Sequence, residues 1–265
     1  MKAMKNLGFA AALIILICSQ SFAAEVRTKV RNISEGKTVV DLYARPDARQ
    51  RVLVLAPKLA TAAVILFAGG SGKTRIKKNG IIKKDGNFLV RSRQRFAGQG
   101  FVTAVFDKPS DQDTLRDGRT EDWHVKDVAA VVRYLKKTFN LPVWLIGTSR
   151  GTKTAGHVGA ALNKKIDGVV FTASMDEITS LPIDTITVPA LVLHHKNDEC
   201  HVTTPEGAAD IAKALVKSPK VELIYLTGGI SRGRECGGKS HHGFKGIEDM
   251  AVARIAKFIR ENSKR

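Results

Sequence analysis

VWLIGTSRGTKTAGHVGAAL, residues 143–162, is the stretch whose reading decides the fold. It opens on a continuous apolar run, Val143 to Ile146, of the kind found in strands buried on both faces. It then passes through Gly147-Thr148-Ser149-Arg150-Gly151 and continues from Thr152 to Leu162 as a helical segment. A serine on so sharp a turn takes strained backbone angles. The residues two positions to either side must be small so that strand and helix can approach closely. Glycine at 147 and at 151 meets that need. The pentapeptide alone is a weak signal, but its place between strand and helix is the context of a nucleophile elbow.

Working outward, the same strand-then-helix rhythm recurs. Residues 25–33, 38–44 and 50–55 read as an opening antiparallel region. Ala62–Ala68, Phe101–Phe106, Gly168–Thr172, Ala190–Leu193 and Val221–Leu226 are further apolar runs. Between them, Val128, Val131, Val132, Leu135 and Phe139 share a helical face, as do Ala208, Ile211, Ala212 and Leu215. Ile247, Met250, Ala251, Ile255, Phe258 and Ile259 do so near the C-terminus, and Asn87 is placed to cap a helix through Phe96. Alternation of this kind predicts an α/β fold, a mostly parallel sheet with helices on both faces. Residues 71–86 break the rhythm as a polar, glycine-bearing, basic loop.

The first residues stand apart. Lys2 and Lys5 precede an apolar run from Leu7 to Cys18, and Ser21-Phe22-Ala23 supplies the small residues of a cleavage site. We read 1–23 as a signal peptide and 24–265 as a single domain, periplasmic or secreted, with no stable membrane span after cleavage. With 43% hydrophobic and 26% charged residues, the composition is that of a globular chain and excludes a disordered or fibrous one. The mature chain retains Cys200 and Cys236, an even pair that in an oxidising compartment predicts a disulfide.

Serine needs a base to take its proton and an acid to orient that base. In a parallel sheet with such an elbow the chain order is serine, acid, histidine. Asp198 follows the run ending at Leu193-His194, with Glu199 and Asp176 as competitors. His241 and His242 follow the run ending at Leu226. Each position lies at the carboxyl end of a strand, where ligands of open α/β sheets gather. His194, His195 and His201 match no metal-helix spacing, so a solvated or structural role is expected of them. A developing oxyanion needs backbone N–H donors, expected from Arg150 and from the loop 68–72, with Gly70 preferred and Ser71 beside it.

These residues resemble the α/β-hydrolase superfamily, within it the dienelactone-hydrolase-like and prolyl-peptidase-like branches, from the glycine loop at 68–72 to His242-Gly243-Phe244. The histidine followed two residues later by phenylalanine resembles the base motif of the dienelactone-hydrolase branch and favours His242 over His241. The resemblance implies an eight-stranded, mostly parallel sheet, a covalent acyl-enzyme and no cofactor. Serine stands where dienelactone enzymes often carry cysteine, and Arg150 stands where an uncharged residue is more usual.

The net charge of +18 invites nucleic acid, membrane or acidic ligands. Nine Lys or Arg residues and one acid, Asp85, fall between Lys73 and Arg95. A basic loop 73–95 of this kind is either a solvated segment or a means of attracting an anionic substrate. Two functions from different classes are therefore expected. One is an exported serine hydrolase, carboxylesterase-like or peptidase, acting on a small-molecule ester, thioester or amide through Ser149, His242 and Asp198. The other is an inactive module on the same scaffold, binding an anionic polymer or membrane. No metal and no specific nucleic-acid partner are expected.

Overall fold

The computed structural model describes residues 26–263, and the expected signal peptide with Cys18 lies outside them. Strands β1 (Arg27–Ser34), β2 (Lys37–Arg45) and β3 (Ala48–Leu55) form an antiparallel meander. β4 (Ala62–Phe67), β5 (Phe101–Phe106), β6 (Val143–Ser149), β7 (Gly168–Ser174), β8 (Ala190–His195) and β9 (Val221–Leu226) are parallel to their neighbours among these six. The order β1-β2-β3-β5-β4-β6-β7-β8-β9 makes one nine-stranded sheet. Eight strands were implied by resemblance. The ninth exists because both 27–34 and 37–45 find partners, joined by a turn at Gly36 with φ of 66°.

Strand periodicity divides the core into two layers. Ala63, Ile65 and Phe67 of β4 face one layer, and Val64 and Leu66 face the other. The first layer is completed by α3 (Asp122–Phe139), α4 (Gly151–Leu162) and α5 (Pro205–Ala214). The second is completed by α1 (Phe88–Arg91), α2 (Arg93–Gly98) and α6 (Glu248–Asn262). Helices thus cover both faces, as expected. The helix expected from Asn87 through Phe96 is two short ones. Asn87 caps the first through its side chain to the Leu89 N–H, and Ser92, at ψ of 2°, breaks the run.

Six parallel strands put their carboxyl ends on one rim, and the loops of that rim carry the candidate site. Residues 71–86 form the expected loop, organised by Asp107 at the end of β5. The Asp107 carboxylate accepts from the N–H groups of Thr74, Arg75 and Ile76 at 2.9–3.1 Å. An antiparallel bridge of Ile76 to Ile82 closes the loop's tip.

Candidate active site

Ser149 ends β6 with φ of 52°, a left-handed conformation costing a non-glycine residue about 1–3 kcal/mol. Its surroundings hold it there. The Thr152 hydroxyl donates to the Ser149 carbonyl at 2.6 Å and accepts from the Met175 N–H at 3.2 Å. β7 answers the turn with a bulge: Thr148 pairs with Thr172 but Ser149 with Ser174, leaving Ala173 over at φ of 42°. The flanking glycines are sterically required. A side chain at 151 would enter the Phe67 carbonyl, and one at 147 would meet the Gly151 carbonyl.

The loop after β4 lies against this turn. A Cβ on Gly69 would stand 2.8 Å from that of Ser149. The Gly72 N–H donates to the Gly69 carbonyl at 3.1 Å, a β-turn with Gly70 and Ser71 at its centre. That hydrogen bond leaves the N–H groups of the two central residues outside the turn. Gly70, exposed at φ of 56°, has open space where a side chain would project. Arg150 precedes the first turn of α4, whose N-terminal amides carry the positive end of the helix dipole.

Asp198 follows β8 and is 7% exposed. Its Oδ2 accepts from His242 Nδ1 at 2.9 Å and from the Thr203 hydroxyl at 3.2 Å, and its Oδ1 accepts from the Cys200 N–H at 3.0 Å. His194 Nε2 lies 3.3 Å from Oδ2 and 3.0 Å from the Thr203 carbonyl. Burial by itself would raise the Asp198 carboxyl. Hydrogen bonds from His194 and His242, the nearby His242 and the Cys200 amide outweigh it and hold the group well below the usual carboxylate range. An ionised Asp198 fixes the His242 proton on Nδ1 and leaves Nε2 as the basic nitrogen.

The competing residues are otherwise engaged. Asp176 accepts from the Thr204 N–H at 2.8 Å and from its hydroxyl at 3.1 Å, at the start of α5. Glu199 is exposed. His241 donates to the Asn197 carbonyl at 3.1 Å and stacks on His195, ring centroids 4.4 Å apart. His194 and His195 are buried rather than solvated. His195 Nε2 donates to the Gly228 carbonyl at 2.9 Å while Nδ1 accepts from the Asn197 N–H at 3.0 Å, and burial lowers its pKa. Both of its nitrogens are therefore satisfied by a neutral ring. No group of His, Cys, Asp and Glu that could hold a metal ion occurs among the described residues.

Cys200 and Cys236 are joined, tying the acid loop to the segment before His242. A second tether comes from Arg91, which donates to the Gly243 carbonyl at 2.5 Å and to Glu248 at 2.9 Å. Among the named residues, Asp198 and His242 are brought into direct contact, whereas the Ser149 hydroxyl is not hydrogen-bonded to His242 among the described residues.

Sequence reasoning missed Arg119. It is 1% exposed and has no carboxylate partner among the described residues. Its guanidinium donates to the Ala68 carbonyl at 2.8 Å, the Gly70 carbonyl at 3.3 Å and the Thr154 hydroxyl at 3.1 Å. Burial, with the Arg150 charge adding to it, pushes Arg119 down to about 9, so it remains a cation at neutral pH. An arginine before a helix carries no periodic signal, and only the packed structure reveals what it grips.

No protein-family model and no curated protein matches this sequence. Solved structures do. Est1E from Butyrivibrio proteoclasticus superposes with a TM-score of 0.60 at 16% identity, over 84% of this chain and 98% of that one. A dienelactone hydrolase from Anabaena variabilis gives 0.60 at 17%, over 91% and 100%. A soluble variant of monoglyceride lipase from Saccharomyces cerevisiae gives 0.60 at 11%, over 89% and 96%.

Proposed function

We propose that this chain, which has the α/β-hydrolase fold, is an exported serine hydrolase that cleaves an ester through an acyl-enzyme. The observation that carries the reading is the buried Asp198–His242 hydrogen bond of 2.9 Å, on the same sheet rim as a serine at φ of 52°. In this reading Ser149 Oγ attacks the carbonyl as its proton passes to His242 Nε2. Asp198 holds the imidazole's tautomer and stabilises the imidazolium. The N–H groups of Gly70 and Arg150 receive the developing oxyanion, and His242 then gives the proton to the departing alcohol. Water, deprotonated by the same nitrogen, releases the acid and restores Ser149. A serine–histidine hydrogen bond that forms only with substrate is common in hydrolytic sites. The Cys200–Cys236 bond supports export, since such bonds persist in oxidising compartments. Among the described residues no helix is long and apolar enough to cross a membrane.

The test is covalent labelling with a fluorophosphonate, alongside turnover of small chromogenic esters. Wild type should label and turn over. Ser149→Ala and His242→Ala should each lose labelling and reduce kcat on the order of 10⁴–10⁶-fold with an unchanged circular dichroism spectrum. Labelling that persists in Ser149→Ala would remove the reading.

A further inference from the structure

The sheet rim carries a second feature on the far side of β4 from Ser149. Arg49 and Arg51 of β3, with Arg75, Lys77, Lys83 and Lys108, line a cavity of about 440 Å³ that also has Asp107 in its wall. Arg49, Arg51, Lys77 and Lys83 also border an adjoining hollow of about 710 Å³. The order β5-β4-β6 puts the end of β5 two strands from the end of β6, about 10 Å at 4.8 Å per strand.

The acids within reach are already committed. Asp107 is bound by the backbone amides of Thr74, Arg75, Ile76 and Lys108 at 2.9–3.1 Å. Asp41 holds Arg51 at 2.6 and 2.9 Å and Arg31 at 2.8 Å. Arg49 reaches Asp41 only at 3.8 Å, and its buried Nε has no acceptor. Lys108 Nζ donates only to the Pro109 carbonyl, at 3.1 Å. Arg75, Lys77 and Lys83 have no carboxylate partner among the described residues. Like charges around one concavity repel unless an anion lies between them, and a guanidinium's fork matches phosphate oxygens. The cavity has room for more than one phosphate group.

We propose that this pocket binds a small polyphosphate, a ligand carrying two or more linked phosphate groups. The site is built by Asp107, which folds the loop 74–76 over the end of β5 so that Arg75 and Lys77 line the same cavity as Arg49 and Arg51. It does not depend on the reading of Ser149.

Calorimetric titration of the full mature chain with inorganic tripolyphosphate at low ionic strength tests the site. Lys77 and Lys83 are exposed, so Lys77→Glu/Lys83→Glu alters charge without disturbing the core. Lys164 and Lys165, exposed in the short helix after α4, give a control of equal charge change. Saturable binding should weaken by about two orders of magnitude in the first double variant and by about twofold or less in the second. Lys77→Ala/Lys83→Ala, which removes the charges without reversing them, should weaken it in the same direction, and unchanged binding in that variant would also overturn the proposal. Ser149→Ala should bind as wild type, which keeps this outcome separate from any result on hydrolysis. Equal losses in both double variants, as expected for a diffuse attraction to any polyanion including nucleic acid, would overturn the proposal, as would the absence of saturable binding.

Discussion

Arg119 is the residue whose surroundings have most to say about chemistry. A cation at 1% exposure, held by carbonyls and a hydroxyl rather than by an acid and with its buried Nε left without an acceptor, is costly to keep. What it holds are the carbonyls of Ala68 and Gly70, which fix the peptide planes of the turn beside Ser149. We regard it as a positioning residue for the proposed oxyanion donors. Arg119→Met removes the buried charge but orphans the carbonyls it holds, two opposing effects, so thermal stability should change little. If the donors then lose their alignment, kcat for a small ester should fall about tenfold to hundredfold with KM little altered. Parallel losses of stability and activity would instead mark Arg119 as structural only.

Among the elements, the loop carrying Asp198 and the loop carrying His242, the proposed acid and base loops, are tied together. The acid loop leaves β8 and the base loop follows β9, and Cys200–Cys236 joins them across 36 residues of sequence. On the chain-entropy account such a closure contributes about 4 kcal/mol. Reduction by dithiothreitol should lower the denaturation midpoint accordingly and reduce kcat/KM by loosening the contact of His242 with Asp198. Labelling with a fluorophosphonate before and after reduction distinguishes a loosened site from an unfolded chain, because circular dichroism reports the second alone. A reduced protein with undiminished turnover would show that the remaining contacts, those of Arg91 and of His241 with Asn197 among them, hold the loop without the disulfide.

For the molecule as a whole, two of the depressed groups, His124 and Asp198, act on acid stability in different pH windows. His124, fully buried beside Thr154, is lowered to about 3 by burial, with the charges of Arg119 and its neighbours adding to it. The unfolded chain binds a proton at His124 below about pH 6.5 that the folded chain refuses. Stability present above that pH is therefore lost as pH falls toward about 3, at up to about 1.4 kcal/mol per pH unit. Asp198 is also depressed, so its contribution is retained to lower pH and lost only as pH falls below about 4. Urea unfolding between pH 7 and 4 should accordingly show a flatter pH dependence in His124→Gln than in wild type. Identical slopes would mean that His124 is protonated in the folded state. The open edge at β1 is handled by composition, since Arg27, Lys29 and Arg31 line that exposed strand and discourage pairing with another chain.

Local pattern determined much of this protein without coordinates. Nine extended runs, the helices between them and a serine turn flanked by glycines are written in periodicities of a few residues, and backbone sterics act over that range. That Ser149, Asp198 and the pair His241-His242 each follow an apolar strand was legible for the same reason, whereas the preference for His242 over His241 came from a family resemblance. Tertiary structure alone decided that Asp198 meets His242 while Asp176 serves α5, that His194 and His195 are interior groups, and that Arg119 underlies the turn at Gly70. It alone assembled β3 and the loop after β4 into one basic pocket. These are meetings between residues tens of positions apart, set by strand order and by which buried polar atoms can be satisfied together, and neither quantity has a period in the chain.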